Sequence, residues 1–237
     1  LSMNSPELRR TELQSTAIAV FVKTPRLSPV KTRLAASIGT PNAEQLYRLC
    51  IGAIEQTLDT TLKNLNATPF WAVGEVLGLS DPLWQSFDAM HTGEGGLGER
   101  QHHIYQTLLA KYQRVVLIGA DSPQLSTRLL EQAITALDTH DFALGPAVDG
   151  GYYLFAGRAP LARDIWTNVT YSSAHTAQQL LAQLPSRPAI LECITDVDRL
   201  DDLQVLKREL LAQTALSHQQ KQIINWIDEI HSPLASD

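Results

Sequence analysis

Apolar positions along the chain follow two rhythms. Short unbroken apolar runs bounded by turn residues read as buried strands, and stretches with apolar residues every three or four positions read as helices packed on them. Ala17–Val22 is the first such run, stopped by Thr24-Pro25, and the prolines at Pro25 and Pro29 exclude both ladder and helix from the loop between them. A long amphipathic helix is predicted from about Asn42, where Leu46, Leu49, Cys50, Ala53, Ile54, Leu58 and Leu62 recur at helical steps. Thr68–Val73 reads as a second strand and Leu97–Tyr112 as a helix with Ile104, Leu108 and Tyr112 on one side. Arg114–Gly119 contains Val115-Val116-Leu117-Ile118, the best buried run in the chain. Ser126 stands at the N-cap of a helix bearing Leu129, Leu130, Ala133, Ile134 and Leu137. Phe142–Val148 and Tyr152–Ala156 read as strands separated by Asp149-Gly150-Gly151, Ala189–Ile194 as a strand, and Asp201–Leu216 and His218–Ile230 as helices.

Strands alternating with helices predict an α/β fold with three α/β/α layers and a mostly parallel central sheet. No repeat, low-complexity tract or Gly/Ser/Pro-rich linker divides the chain. Residues 16–237 are therefore expected to form one domain behind a loose polar tail over 1–15, with Met3 as the start and Leu1 and Ser2 as remnants of processing. Apolar residues make up 44% of the 237, enough for a large interior. Ala17–Val22 is too short for a membrane span or a signal-peptide core, so neither is expected. Cys50 and Cys193 form no metal or redox motif and read as small core residues of a reduced, cytoplasmic protein.

The net charge of −6 disfavours nucleic acid as a partner. Its distribution points elsewhere. From Thr16 through Ala43 there is no acidic residue, yet Lys23, Arg26, Lys31 and Arg33 fall inside that window. Four cations without a local counter-charge make a positive field, the plainer alternative being a solvated basic loop.

In sheets of this kind ligands bind outside the carboxyl ends of the strands. Lys23 and the loop Pro29-Val30-Lys31-Thr32-Arg33 follow the first strand, Gly119-Ala120-Asp121-Ser122-Pro123 the central one, Asp149-Gly150-Gly151 the next, and Asp196-Val197-Asp198 the last. A single acid after a strand is more often a cap or turn residue. Four such clusters on one rim instead suit a metal-bound polyphosphate, with Mg2+ taking one or two carboxylates and phosphate oxygens. Lys31 and Arg33 then neutralise charge on the phosphate, Thr32 caps the following helix, and two nearby carboxylates repel each other in the free protein. Tyr152 and Tyr153 alternate across a strand, so at most one faces a ligand.

Two other classes compete. Gly93-Glu94-Gly95-Gly96-Leu97-Gly98 matches GxGxxG and opens a helix, which would make the chain an NAD-dependent oxidoreductase, although the strand before it, Phe87–Thr92, is weak. A nucleotide-binding module without chemistry is the other. There is no P-loop, HExxH or GxSxG motif.

Phe21-Val22-Lys23-Thr24-Pro25 followed by Val30-Lys31-Thr32-Arg33-Leu34, then Leu97-Gly98-Glu99-Arg100, Gly119 to Pro123, Gly145-Pro146-Ala147 with Asp149 to Tyr153, and Asp196-Val197-Asp198 stand in one order. In these motifs the chain resembles the radical-SAM/selenodomain-associated transferases of the nucleotide-diphospho-sugar transferase superfamily, which have a GT-A fold. It is similar, more distantly, to 2-phospholactate guanylyltransferase and the molybdenum-cofactor nucleotidyltransferases. The resemblance implies Mg2+ or Mn2+ held by Asp121 with Asp198 or Asp196, and catalytic roles for Lys31, Arg33 and Asp121. It further implies nucleotide or phosphate contact by Lys23, Lys31, Arg33, Gly98 and Arg100, and acceptor or sugar contact by Asp149, Gly150, Gly151 and Tyr152. The implied partners are a nucleotide or nucleotide sugar and a small-molecule acceptor. Glycosyltransferases of this fold carry Asp-x-Asp after the central strand, whereas this chain has Asp121-Ser122-Pro123, so glycosyl and nucleotidyl transfer both stay open.

Overall fold

A computed structural model describes residues 16–63 and 65–234; the tail expected over 1–15 lies outside the described residues. Among the described residues seven strands form one sheet: β1 (Thr16–Val22), β2 (Ala67–Val73), β3 (Asp88–His91), β4 (Arg114–Gly119), β5 (Phe142–Pro146), β6 (Tyr152–Gly157) and β7 (Ala189–Ile190). Their spatial order is β3-β2-β1-β4-β6-β5-β7. Every pairing is parallel except those of β6, which runs antiparallel to both β4 and β5.

The helices are α1 (Thr32–Ile38), α2 (Thr40–Leu62), α3 (Leu97–Leu109), α4 (Thr127–Ala136), α5 (Arg163–Thr167), α6 (Thr176–Gln183), α7 (Asp202–Leu211) and α8 (His218–Leu234). Because side chains of a strand alternate between faces, β1 sends Ile18, Val20 and Val22 to one side and Ala17 and Ala19 to the other. On the first side Tyr47, Ile51, Ile54 and Leu58 of α2 and Leu129, Leu130 and Ala133 of α4 close the core. On the second side Ile104, Tyr105 and Leu108 of α3 meet Phe142, Phe155 and Trp166 in a cluster of ring contacts. Each fully buried Leu, Ile or Phe here contributes roughly 1.5–3 kcal/mol of hydrophobic stabilisation. The opposite flank of α2, Leu46, Cys50 and Ala53, is covered by Leu203, Leu206 and Leu210 of α7 and Ile223, Trp226 and Ile227 of α8. That double coverage explains why α2 is apolar over so wide an arc.

Several expected boundaries shift. The strand expected over Phe142–Val148 ends at Pro146, where the β5–β6 register breaks. The strand expected over Ala189–Ile194 keeps only Ala189–Ile190, then touches the sheet once more through an Ala147–Ile194 bridge. The helix expected over Asp201–Leu216 ends at Leu211, and the one expected to Tyr112 ends at Leu109. The weak strand before the glycine run does form, as β3 at the sheet edge. Ser126 caps α4 as expected, its hydroxyl accepting from the Leu129 amide. Cys50 is buried, but Cys193 is exposed, contrary to its reading as a core residue. No helix among the described residues is long and apolar enough to cross a membrane.

One topological fact positions everything that follows. From β1 the chain steps outward to β2 and β3, then returns to place β4 on the other side of β1. Strand order therefore reverses between β1 and β4, and a crevice opens above their carboxyl ends.

Candidate active site

The loop after β1 and the loop after β4 face each other across this crevice. Lys31 precedes α1 with φ 45° and ψ 46°, the left-handed region that a non-glycine residue rarely occupies. Such a conformation costs of order 1–3 kcal/mol and persists only where its surroundings fix it. Here Lys31 Nζ lies 2.7 Å from Asp121 Oδ1 and 2.8 Å from the Val197 carbonyl, with the side chain only 2% exposed. Burial, the largest single influence, would lower the ammonium pKa, but the surrounding negative groups, Asp121 foremost, together outweigh it and hold Lys31 above the ordinary lysine range. Arg33 Nη1 donates to Asp198 Oδ2 at 2.5 Å in a half-exposed pair. Two cations of the acid-free window, Lys31 and Arg33, thus meet counter-charges that arrive from 90 and 165 positions away, and Arg26 lies 3.6 Å from Asp81. Thr32 does not cap α1 either, since the N-cap position belongs to Lys31 and no side chain closes it.

Past β7 the chain runs alongside the β4 loop, and the Val197 amide donates to the Asp121 carbonyl at 3.0 Å. This contact sets Asp196 and Asp198, one on each side of Val197, next to Asp121. Burial, and then the Asp121 charge, push the Asp196 carboxyl up to about 7, with Lys31 opposing and Asp149 and Asp198 adding to the rise. Asp149 enters from the β5–β6 turn, where its Oδ1 accepts from the Gly151 amide at 2.8 Å. Gly150 in that turn has φ 87°, and a Cβ there would meet the Ala174 carbonyl oxygen at 2.0 Å, so a glycine is required twice over. The structure therefore brings Asp121, Asp149, Asp196, Asp198, Lys31 and Arg33 into one crevice.

The donor set fits a hard divalent cation. Four carboxylates against two cations leave negative charge in excess when all are ionised, and oxygen donors of this kind suit Mg2+ or Mn2+. Asp121 is engaged through Oδ1 and Asp198 through Oδ2, which leaves the second oxygen of each without a hydrogen bond among the described residues. No group of three metal-binding side chains closes around a point among those residues. Such a cation would take one or two carboxylates and complete its shell with water and phosphate oxygens.

The neighbouring strand ends carry the other cations. Lys23 is exposed, and its backbone amide and carbonyl both bond the Tyr47 hydroxyl at 2.9 Å, which fixes the start of the loop. The Thr24 amide donates to Glu75 Oε2, and Trp84 Nε1 donates to Thr24 Oγ1, tying the β1 loop to the β2–β3 connection. Arg100 of α3 donates to the carbonyls of Gly95 and Gly74 and to Thr92 Oγ1. A Cβ on Gly74 would lie 3.4 Å from Arg100 Nη1 and 3.9 Å from Lys23 Cγ, so both cations flank the end of β2.

Two expected contact residues sit elsewhere. Gly98 is buried against the Trp166 carbonyl, 2.5 Å from where a Cβ would stand, so helix packing accounts for that glycine. The Tyr152 hydroxyl donates to Gln101 Oε1 on the α3 side of the sheet and is not brought together with Asp149. Burial holds it well above the ordinary tyrosine range. The glycine run 93–98 follows the edge strand β3 rather than a strand at the switch point, where a dinucleotide fingerprint stands. Tyr47, Glu75, Gln124 and Glu209, which all fix site loops, escaped sequence reasoning because each is a lone polar residue with no motif around it.

The family described as an uncharacterized protein conserved in bacteria (DUF2064) matches residues 62–173. No curated protein matches the chain. Among solved structures, a protein from Desulfovibrio desulfuricans G20 assigned as a nucleotide-diphospho-sugar transferase superposes with a TM-score of 0.78 at 28% identity, covering 92% of this chain and 97% of that one. The bifunctional IspDF of Campylobacter jejuni superposes at 0.53 with 8% identity, covering 81% of this chain and 54% of that one. 4-Diphosphocytidyl-2C-methyl-D-erythritol synthase from Anaerococcus prevotii DSM 20548 superposes at 0.51 with 10% identity, over 92% and 96%. The chain therefore has the fold of the nucleotide-diphospho-sugar transferase-like proteins.

Proposed function

We propose that the chain is a metal-dependent transferase whose donor is activated by a nucleotide. The observation that carries this is the meeting of Asp121 with the Asp196–Asp198 segment at the switch point, with the Lys31 ammonium bonded between them. Lys31 acts there as an internal counter-ion that sets the Asp121 carboxylate. Arg33, half exposed, turns from Asp198 to a phosphate oxygen when substrate enters. Lys23 and Arg100 line the adjacent strand ends and hold the rest of a diphosphate or triphosphate. Mg2+ or Mn2+, bound through Asp121 with Asp198 or Asp196, would offset the charge that builds on the leaving phosphate. The Asp149-Gly150-Gly151 turn borders the opposite wall and faces the acceptor, with the Asp149 carboxylate lying over Gly151 as the group a hydroxyl would meet.

Glycosyl transfer is the first reading, supported by the likeness to the Desulfovibrio protein. An acceptor oxygen attacks the anomeric carbon, the bond to the nucleoside diphosphate breaks, and the acceptor proton leaves to solvent or base. Nucleotidyl transfer is the second, favoured by Asp121-Ser122-Pro123 in place of a paired Asp-x-Asp. There an acceptor phosphate attacks the α-phosphorus of a nucleoside triphosphate and pyrophosphate departs. Both need the same cations and the same acids. Two free cysteines suit a reducing compartment, which supports a cytoplasmic location.

A thermal-shift panel of nucleoside triphosphates, nucleotide sugars and NADH, each with and without Mg2+ or Mn2+, tests the reading. A donor at 100 times its dissociation constant adds roughly 2.7 kcal/mol of stability. The expected outcome is a shift with a nucleotide or nucleotide sugar that needs the divalent ion. A shift with NADH that ignores metal would overturn it in favour of an oxidoreductase, and binding without turnover of any donor in favour of a binding module.

A further inference from the structure

We infer that Glu209, a residue of α7 outside the crevice, is the positioning residue that holds the Asp196–Asp198 segment against the Asp121 loop. The inference rests on the reading of that crevice as the metal and nucleotide site. Sheet hydrogen bonding ends at the Ala147–Ile194 bridge, so the next four residues have no ladder to register them. Side chains replace it. Glu209 Oε1 accepts from the Thr195 hydroxyl at 2.6 Å, and Glu209 Oε2 accepts from the Thr195 amide at 3.3 Å and from Gln124 Nε2 at 2.6 Å. Gln124 Nε2 also donates to the Thr195 carbonyl at 2.6 Å, and Ser122 Oγ donates to the same oxygen at 3.3 Å. One carboxylate thus binds the residue before Asp196 and the residue three after Asp121, and it does so from outside both loops.

The arrangement has a direction. An ionised carboxylate accepts hydrogen bonds and donates none, so it forces the Gln124 amide to present its nitrogen. The other end, Gln124 Oε1, is buried without a partner. Leaving a buried acceptor unmet is unfavourable, and the amide keeps this orientation because Glu209 and the Thr195 carbonyl both accept from its nitrogen. Gln213 Nε2 to the Gln124 carbonyl and Gln220 Nε2 to the Pro123 carbonyl fasten the same loop from just past the end of α7 and from α8 respectively. Hydrogen-bonded partners of metal ligands commonly set affinity by 10–100-fold, and Glu209 would act in this way through Thr195 and Gln124.

The test uses the full chain with Glu209→Ala, Glu209→Gln and Thr195→Val, and with Arg158→Ala as a control. Arg158 binds Asp141 and the Leu137 and Asp138 carbonyls at the opposite end of the sheet, so its loss destabilises without touching the crevice. Mn2+ affinity is read by electron paramagnetic resonance with the metal alone, and amide exchange is read over Asp196–Asp198 and over β1 and β4. Glu209→Ala should weaken Mn2+ by about tenfold and raise exchange at Asp196–Asp198 selectively. Glu209→Gln should weaken Mn2+ less than Glu209→Ala, because its amide oxygen can still accept from the Thr195 hydroxyl while its nitrogen faces the Gln124 and Thr195 donors. Arg158→Ala should lower the melting temperature and leave Mn2+ affinity unchanged. If Glu209→Ala is insoluble, Thr195→Val, which removes only the hydroxyl bond, should weaken Mn2+ in the same sense. Unchanged affinity and exchange in Glu209→Ala, or equal weakening in Arg158→Ala, overturns the inference. A wild type that binds no Mn2+ counts against the metal reading alone, and the exchange at Asp196–Asp198 then decides the role of Glu209.

Discussion

A lysine whose ammonium is buried, charged and bonded to both a carboxylate and a carbonyl belongs to the framework as much as to the chemistry. Lys31→Ala removes two hydrogen bonds and leaves Asp121 beside Asp196 with its cation gone. Hydrogen bonds to charged groups are worth about 1.5–3 kcal/mol each, but Asp121 is 46% exposed and water recovers part of the loss. We expect a net destabilisation of about 2 kcal/mol in urea unfolding, while Arg33→Ala, at a half-exposed pair, leaves the melting temperature nearly unchanged. Equal stability of the two variants would contradict the structural role of Lys31. Asp196 adds a pH dependence. Its folded pKa, about 7, lies above its ordinary value of 3.8, so its neutral form is the one the fold favours. The stability it contributes is full below pH 3.8 and is lost as pH rises through about 7. Asp196→Asn should flatten this fall and raise the melting temperature most at pH 8. Parallel melting curves for the two proteins between pH 5 and 8 would show that the carboxyl is not the titrating group.

At the scale of elements, legibility followed burial. β1 and β4 were readable as unbroken apolar runs because both of their faces are covered, and α2 because its apolar positions repeat over many turns. β7 was over-read. Leu191 and Ile194 are apolar, but Glu192 and Cys193 between them are exposed, and only Ala189–Ile190 pairs as a strand. α5 and α6 were missed because five and eight residues hold too few turns to show a period. The direction of β6 is the instructive case. An apolar run carries no direction, yet the few residues between β5 and β6 are far too short for a parallel crossover, which needs a dozen or more. The short turn of Asp149-Gly150-Gly151 therefore already required an antiparallel strand.

For the molecule as a whole, the rim was legible and the pairing on it was not. Four polar clusters after strands located the crevice, because alternating strands and helices place strand ends on one side. Which cation meets which acid depends on side-chain reach across 90 or 165 positions, and a local window of charge contains nothing of that. The same assembly makes one of the two thiols an optical reporter of the crevice. Cys50 lies under α7 and α8 with its thiol pushed up to about 12, so it should stay silent to an aromatic disulfide reagent until the chain unfolds. Cys193 is exposed, and burial, Glu209 and Asp149 hold its thiol above the ordinary range. The thiolate is the reactive form, so positive charge arriving beside Asp149 should speed its modification. Absorbance should therefore show a single reactive thiol in the native protein, modified faster when Mg2+ or Mn2+ is added alone. An unchanged rate would mean that Asp149 stands outside the field of the bound cation, and a faster one would give a stopwatch for occupancy that requires no knowledge of the substrate.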